Sequence, residues 1–246
     1  MATKSVTRVE HGFSSEQLYR LSGLALLAAL PLQVVGYLLH PPNEEVQQVL
    51  QATYGPAHVV LFASWLLALL GLPGLYARQA RRAGRLGLVG FVATMVAVAY
   101  HSYLLLYEGF AVPIMARQPA TQALLGADGP LAHGAGALGV LAFALPLAFA
   151  VLGVATVRAG VFPRGVGWLQ IASVPAFVVI AIVLGIALDG QVGPEGTSWV
   201  GGMLPISVLY WLLFAGYAWG GAVLRSAPEG RAATAAQAAR PAGAAG

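Results

Sequence analysis

Long apolar stretches dominate the chain, and polar residues gather in the short intervals between them. A helix needs roughly 20 mostly apolar residues to cross the hydrocarbon core of a bilayer. Residues 17–39, 56–76, 86–114, 130–157, 166–188 and 200–224 each meet that length. The pattern predicts an all-α, polytopic six-helix transmembrane bundle over 17–224, with cytoplasmic tails at 1–16 and 225–246. The third and fourth stretches are long enough to tilt or to project past the bilayer. The interval 43–54 reads as a short surface helix with Val46, Val49 and Leu50 on its apolar face. The second tail, rich in Ala, Gly and Pro, has too little to bury and is expected to be disordered. No short apolar run with a small-residue cleavage site precedes the first stretch, so that stretch is expected to remain as an anchor.

Composition sharpens this picture. The chain is 58% hydrophobic and 9% charged, whereas a soluble domain carries about 25% charged residues. A formal charge of +4 would suit nucleic acid until the charges are placed. Every Lys and Arg except Arg117 falls on the side of the two tails, while Glu44, Glu45, Glu108, Asp128, Asp189 and Glu195 fall on the other. Positive loops stay in the cytoplasm, so both termini are expected inside. The expected partners are the bilayer and the anionic lipids of its inner leaflet, with no nucleic acid, and a second copy or another membrane subunit. Basic residues are nearly all arginine, Lys4 being the one lysine, and Ala and Gly are abundant. That usage points to a GC-rich bacterial genome and so to a bacterial inner membrane.

The stretches also repeat. Gly55-Pro56-Ala57-His58 opens the second and Gly129-Pro130-Leu131-Ala132-His133 the fourth. Proline suits a first helical position, where its missing N–H costs nothing, but helix mechanics does not require the histidine. Both run on to an Arg-Ala-Gly turn, Arg82-Ala83-Gly84 and Arg158-Ala159-Gly160. Three hairpins related by an axis along the membrane normal are therefore expected. Over residues 82–91 and 158–167 the chain resembles a group of uncharacterised bacterial six-helix integral membrane proteins, of the domain-of-unknown-function type. The resemblance covers most of 17–224; it implies the fold and brings no activity with it.

Candidate chemistry lies toward the outer face. His40 ends the first stretch, His58 starts the second, His101 lies inside the third and His133 starts the fourth. In the frame of the repeat, His40, Glu108, Asp189, His58, His133 and Ser207 would form an outer ring. Ionisable residues at the depth of His101 face the bundle interior and mark function. Glu108, seven residues on, shares its helix face about 10 Å nearer the outer surface. Three readings follow. Imidazole and carboxylate suit zinc, copper or iron, and histidine is a haem ligand. His58 and His133, at matched depth, are the candidate pair for haem b, and His101 with Glu108 the candidates for a divalent metal. Alternatively, His101 and Glu108 serve a proton or solute path. In the third reading the histidines are structural, at headgroup level or hydrogen-bonded across helices.

Other chemistries are excluded or unsupported. The absence of cysteine removes disulfides and thiolate metal sites. No span holds a lysine, so no retinal Schiff base can form. There is no His-Glu-x-x-His, Gly-x-Ser-x-Gly or P-loop. Ser14 and Ser15 lie in the tail, away from any intramembrane reaction. The expected function is that of a binding, transport or accessory membrane subunit rather more than that of an enzyme, with no catalytic residue assigned. A b-type haem or metal protein with an outer-face site, or a metal-dependent membrane hydrolase, is the alternative.

Overall fold

The computed structural model describes residues 14–43, 45–125, 146–187 and 199–226, and their regular structure is helical throughout. In chain order the elements are α1 (Ser15–Leu39), α2 (Val46–Val49), α3 (Tyr54–Leu106), a π-helical turn (Tyr107–Ala111), α4 (Val112–Ala116) and α5 (Pro119–Leu125). They continue with α6 (Pro146–Ala159), α7 (Arg164–Ala187), α8 (Trp199–Gly202) and α9 (Leu204–Ser226). Four stretches among the described residues are long and apolar enough to cross a membrane: Ser15–Leu39, Tyr54–Ala116, Arg164–Leu184 and Leu204–Ser226. α6 falls short of spanning length over its described residues.

Local signals set the ends of α1. Ser14 accepts from the Gln17 N–H while the Gln17 side chain accepts from the Ser14 N–H, a capping box that satisfies two backbone donors at once. At the far end Pro41 forbids helical geometry in the residue before it, and His40 is extended, with φ −70° and ψ 132°.

The stretches 56–76 and 86–114, read from the sequence as separate spans, are two helices that meet at a sharp kink with no loop between them. Gly84 has φ 58° and ψ −152°, a conformation closed to residues with a Cβ. It divides α3 into arms at 54–83 and 85–106. The first arm runs on through Arg78, Arg81 and Arg82, because nothing before Gly84 stops it. Gly71-Leu72-Pro73-Gly74 does not break it either. Gly160, just after α6, also has a positive φ, 60°, so both Arg-Ala-Gly turns place glycine where a Cβ is disfavoured.

Neighbouring elements run antiparallel. Ser64 Oγ donates to the Ala29 carbonyl at 2.7 Å, and Gly74 sits against Ser22, fixing α1 on the first arm of α3. Thr94 Oγ1 donates to the Ala148 carbonyl at 3.3 Å, and Gly90 meets Leu152, so α6 lies on the second arm. Gly153 and Gly167 join α6 to α7, and Gly216 joins α9 to Val166 of α7. Gly23 and Gly221 abut each other's backbone and close the ring between α1 and α9. Small residues at every crossing are how helices pack where lipid, not water, is the solvent.

Trp65, Tyr54, Tyr217, Phe149 and Phe214 fill the interior. Leu70, Val89, Val92, Val96, Ile182, Val183 and Ile186 are exposed on the outside, an apolar girdle that hydrocarbon tolerates and water does not. The interval after α1 departs from its reading as a surface helix. Val49 is buried against Tyr54, Val112 and Ala116, so α2 packs on α4 while Leu50 remains exposed.

Candidate functional site

The end of α1, the start of α3 and the π turn meet at one level of the bundle. Together with α9 they enclose a cavity of about 290 Å³, near the lower end of the usual range for ligand pockets, ~300–1,000 Å³. Its walls include Tyr37, His40, His58, Trp65, His101, Glu108 and Tyr210. Two features of the second arm shape it. The π turn places Glu108 in a widened coil, a device found often at functional sites. A Cβ at Gly109 would come within 2.8 Å of His58 Cβ, so glycine is what lets the two arms of α3 approach here.

The histidines are held in a common manner. His58 Nδ1 donates to the Tyr54 carbonyl at 2.8 Å, and His101 Nδ1 to the Ala97 carbonyl at 2.8 Å. His40 Nδ1 donates to the Pro41 carbonyl at 2.7 Å. A carbonyl oxygen only accepts, so this hydrogen-bond network assigns the proton to Nδ1 in all three rings. Each neutral ring then presents Nε2 as an acceptor. His101 Nε2 accepts from the Tyr210 hydroxyl. His40 Nε2 and His58 Nε2 face each other at 3.3 Å, and Glu108 Oε2 is 3.5 Å from His58 Nε2. His58 Nε2 thus contacts both a second imidazole nitrogen and a carboxylate. A proton placed between the two rings would have Glu108 as its countercharge.

Aromatic rings seat this chemistry. His101 stacks on Trp65 with centroids 4.4 Å apart and planes at 6°. Tyr210 meets Trp65 edge-on at 5.1 Å and stacks on Tyr37 at 6.0 Å. The Tyr54 and His58 rings are 4.2 Å apart. The buried walls fix the rotamers, whereas the Glu108 side chain keeps 34% of its surface accessible.

Comparison with family models, with curated proteins and with solved structures finds no match for this chain. The site therefore rests on its own geometry.

Of the sequence candidates, His58, His101 and Glu108 line one cavity, and His101 faces the interior, as an ionisable residue at that depth should. His133 and Asp189 lie outside the described residues. Ser207 is buried but donates to its own helix at the Met203 carbonyl. The proposed haem ligand atom of His58 is already engaged by His40 and Glu108. The proposed metal pair is divided, since His101 turns to Tyr210 and Glu108 to His58. Among the described residues no three His, Asp or Glu side chains form a group that could hold a metal ion.

Sequence reasoning missed Tyr210, Trp65 and the direct pairing of His40 with His58. One signal was present. A helical histidine that bonds the carbonyl four residues back, as His58 and His101 do, exposes only Nε2.

Proposed function

We propose that the chain is a multi-pass protein of a bacterial inner membrane that crosses the bilayer six times with both termini in the cytoplasm. It acts as a binding or transport protein whose outward cavity takes up a proton at the His40–His58–Glu108 cluster. The observation that carries this reading is the Nε2-to-Nε2 approach at 3.3 Å in a buried setting, with a carboxylate at 3.5 Å. Histidine is the side chain whose charge changes near neutral pH, and Glu108 offers the countercharge. The six crossings are supported by the bend at Gly84, by the antiparallel order of helices that follow one another around the ring and by the apolar girdle. The orientation is supported by the distribution of arginines. Polar side chains buried along the interior, among them Gln33, Ser64, Gln170 and Ser173, suit a protein that admits polar species better than one that only anchors a partner.

Histidine-selective nitrogen-15 NMR of the protein in lipid nanodiscs tests the site. The Nε2 signals of His40 and His58 are expected to move together with pH as one proton enters between them. The Nδ1 signals should stay protonated throughout. In His40→Ala the response of His58 should change while that of His101 does not. Independent titration of His40 and His58, or a His58 response indifferent to His40→Ala, would overturn the proposal.

A further inference from the structure

The opposite end of the bundle carries a second cavity, of about 470 Å³, lined by Tyr19, Ala77, Arg78, Gln79, Arg81, Arg82 and Val161. We propose that this cavity is a binding site for a phosphate group, borne by a lipid headgroup or by a free phosphate.

Three observations carry it. Arg78, Arg81 and Arg82 stand at helical positions i, i+3 and i+4 on the first arm of α3, which places them on one face. That face lines the cavity, and Arg81 and Arg82 are exposed there. Second, the site is built from more than one element. The Arg78 guanidinium lies 5.6 Å from the centroid of the Tyr19 ring, a cation–π contact that steadies a flexible side chain. Behind the arginines Gln79 is buried, and its Nε2 donates to Thr156 Oγ1 at 3.1 Å, tying α3 to α6. Val161, from the turn after Gly160, completes the wall. Third, the depth is right. From Tyr19 to His40 α1 rises by about 30 Å, the thickness of a hydrocarbon core. The arginine cavity and the histidine cavity therefore sit at the two opposite headgroup levels. Guanidinium forks match phosphate oxygens in pairs, and Arg81 and Arg82, side by side and exposed, present two such forks to the cavity.

Binding is read from the thermal midpoint of the full-length protein in detergent, titrated with soluble phosphatidylglycerol, with inorganic phosphate, or with sodium chloride at matched ionic strength. Saturable stabilisation beyond the chloride control is expected. A response to phosphatidylglycerol alone identifies a lipid headgroup, and a response to both identifies any accessible phosphate. Arg81→Gln and Arg82→Gln should each raise the half-saturating concentration about tenfold, the usual scale for losing one charge-assisted contact. Arg78→Lys keeps the charge and the fold but loses the stacked fork, and should also weaken binding. Arg85→Gln, beyond Gly84 and outside the lining, should leave it unchanged. The proposal fails if Arg85→Gln weakens binding as much as the lining variants do. It also fails if neither phosphate species stabilises the wild type beyond chloride.

Discussion

At the scale of single residues, the interior mixes polar groups that are well held with some that are not. Gln33 is fully buried, and neither amide atom has a hydrogen-bond partner among the described residues. A buried polar group left unpaired costs about 1–3 kcal/mol. Gln33→Leu, close in shape, is expected to stabilise the protein by about that amount, measured as a higher thermal or denaturant midpoint in micelles. A polar group retained at such a cost fits a role in admitting polar species, so the same variant should lose function. Trp65 is the opposite case. It is buried against His101, Tyr210, Phe214 and Phe149. Trp65→Ala should destabilise by about 3–5 kcal/mol and release His101 from its single orientation, visible as broadened ring signals. What the sequence disclosed at this scale followed from position along one helix. His101 and Glu108 share a face because of helical periodicity, and the cavity contains both. Tyr210 is 109 positions from the ring that it bonds, and nothing local to either residue announces that meeting.

The elements owe their form to a few glycines that act for different reasons. At Gly84 an added Cβ would meet nothing within 4 Å, yet φ is 58°. Gly84→Ala should therefore cost only the backbone penalty of this glycine-only region, about 1–3 kcal/mol, and should leave the cavities intact. At Gly109 the backbone lies in a helical turn, but the new methyl would press on His58. Gly109→Ala should cost a similar 1–3 kcal/mol from overpacking, but with a distinct signature: the His58–Glu108 contact opens and the shared-proton response of the NMR titration disappears. Hydropathy located the stretches of α1, α3, α7 and α9 well because each is a long run, whereas most of the fourth stretch lies outside the described residues. It did not show that the second and third meet at Gly84 with no loop between them, since the arginines before Gly84 are polar whether helical or not. Nor did it foresee the π turn, which depends on how the second arm meets the first, or the burial of Val49 under α4.

For the whole molecule, the decisive question is how often and in which sense the chain crosses the bilayer. The protein contains no cysteine, so single introduced cysteines report without background. Glu45→Cys and Gln122→Cys are expected to react with an impermeant maleimide added outside intact cells, and Arg81→Cys and Arg158→Cys only after lysis. Labelling of all four from one side would remove the six-crossing arrangement. The expected orientation comes from the charge distribution alone, because a sidedness rule reads loops and needs no packing. The repeat was legible only as turn motifs. Gly84 and Gly160 both have positive φ, but one feature in common does not amount to three related hairpins.

The anchoring of the imidazoles has one more consequence. A histidine passes a proton along a wire by accepting it on one nitrogen and surrendering it from the other. In His40, His58 and His101 the far nitrogen is clamped to a peptide oxygen of the ring's own chain segment, so that exit is shut. Charge that arrives must depart by the door it entered. Such a centre behaves as a capacitor and not as a conductor: a sudden acid step across a supported membrane should evoke a brief, saturating current and no sustained one.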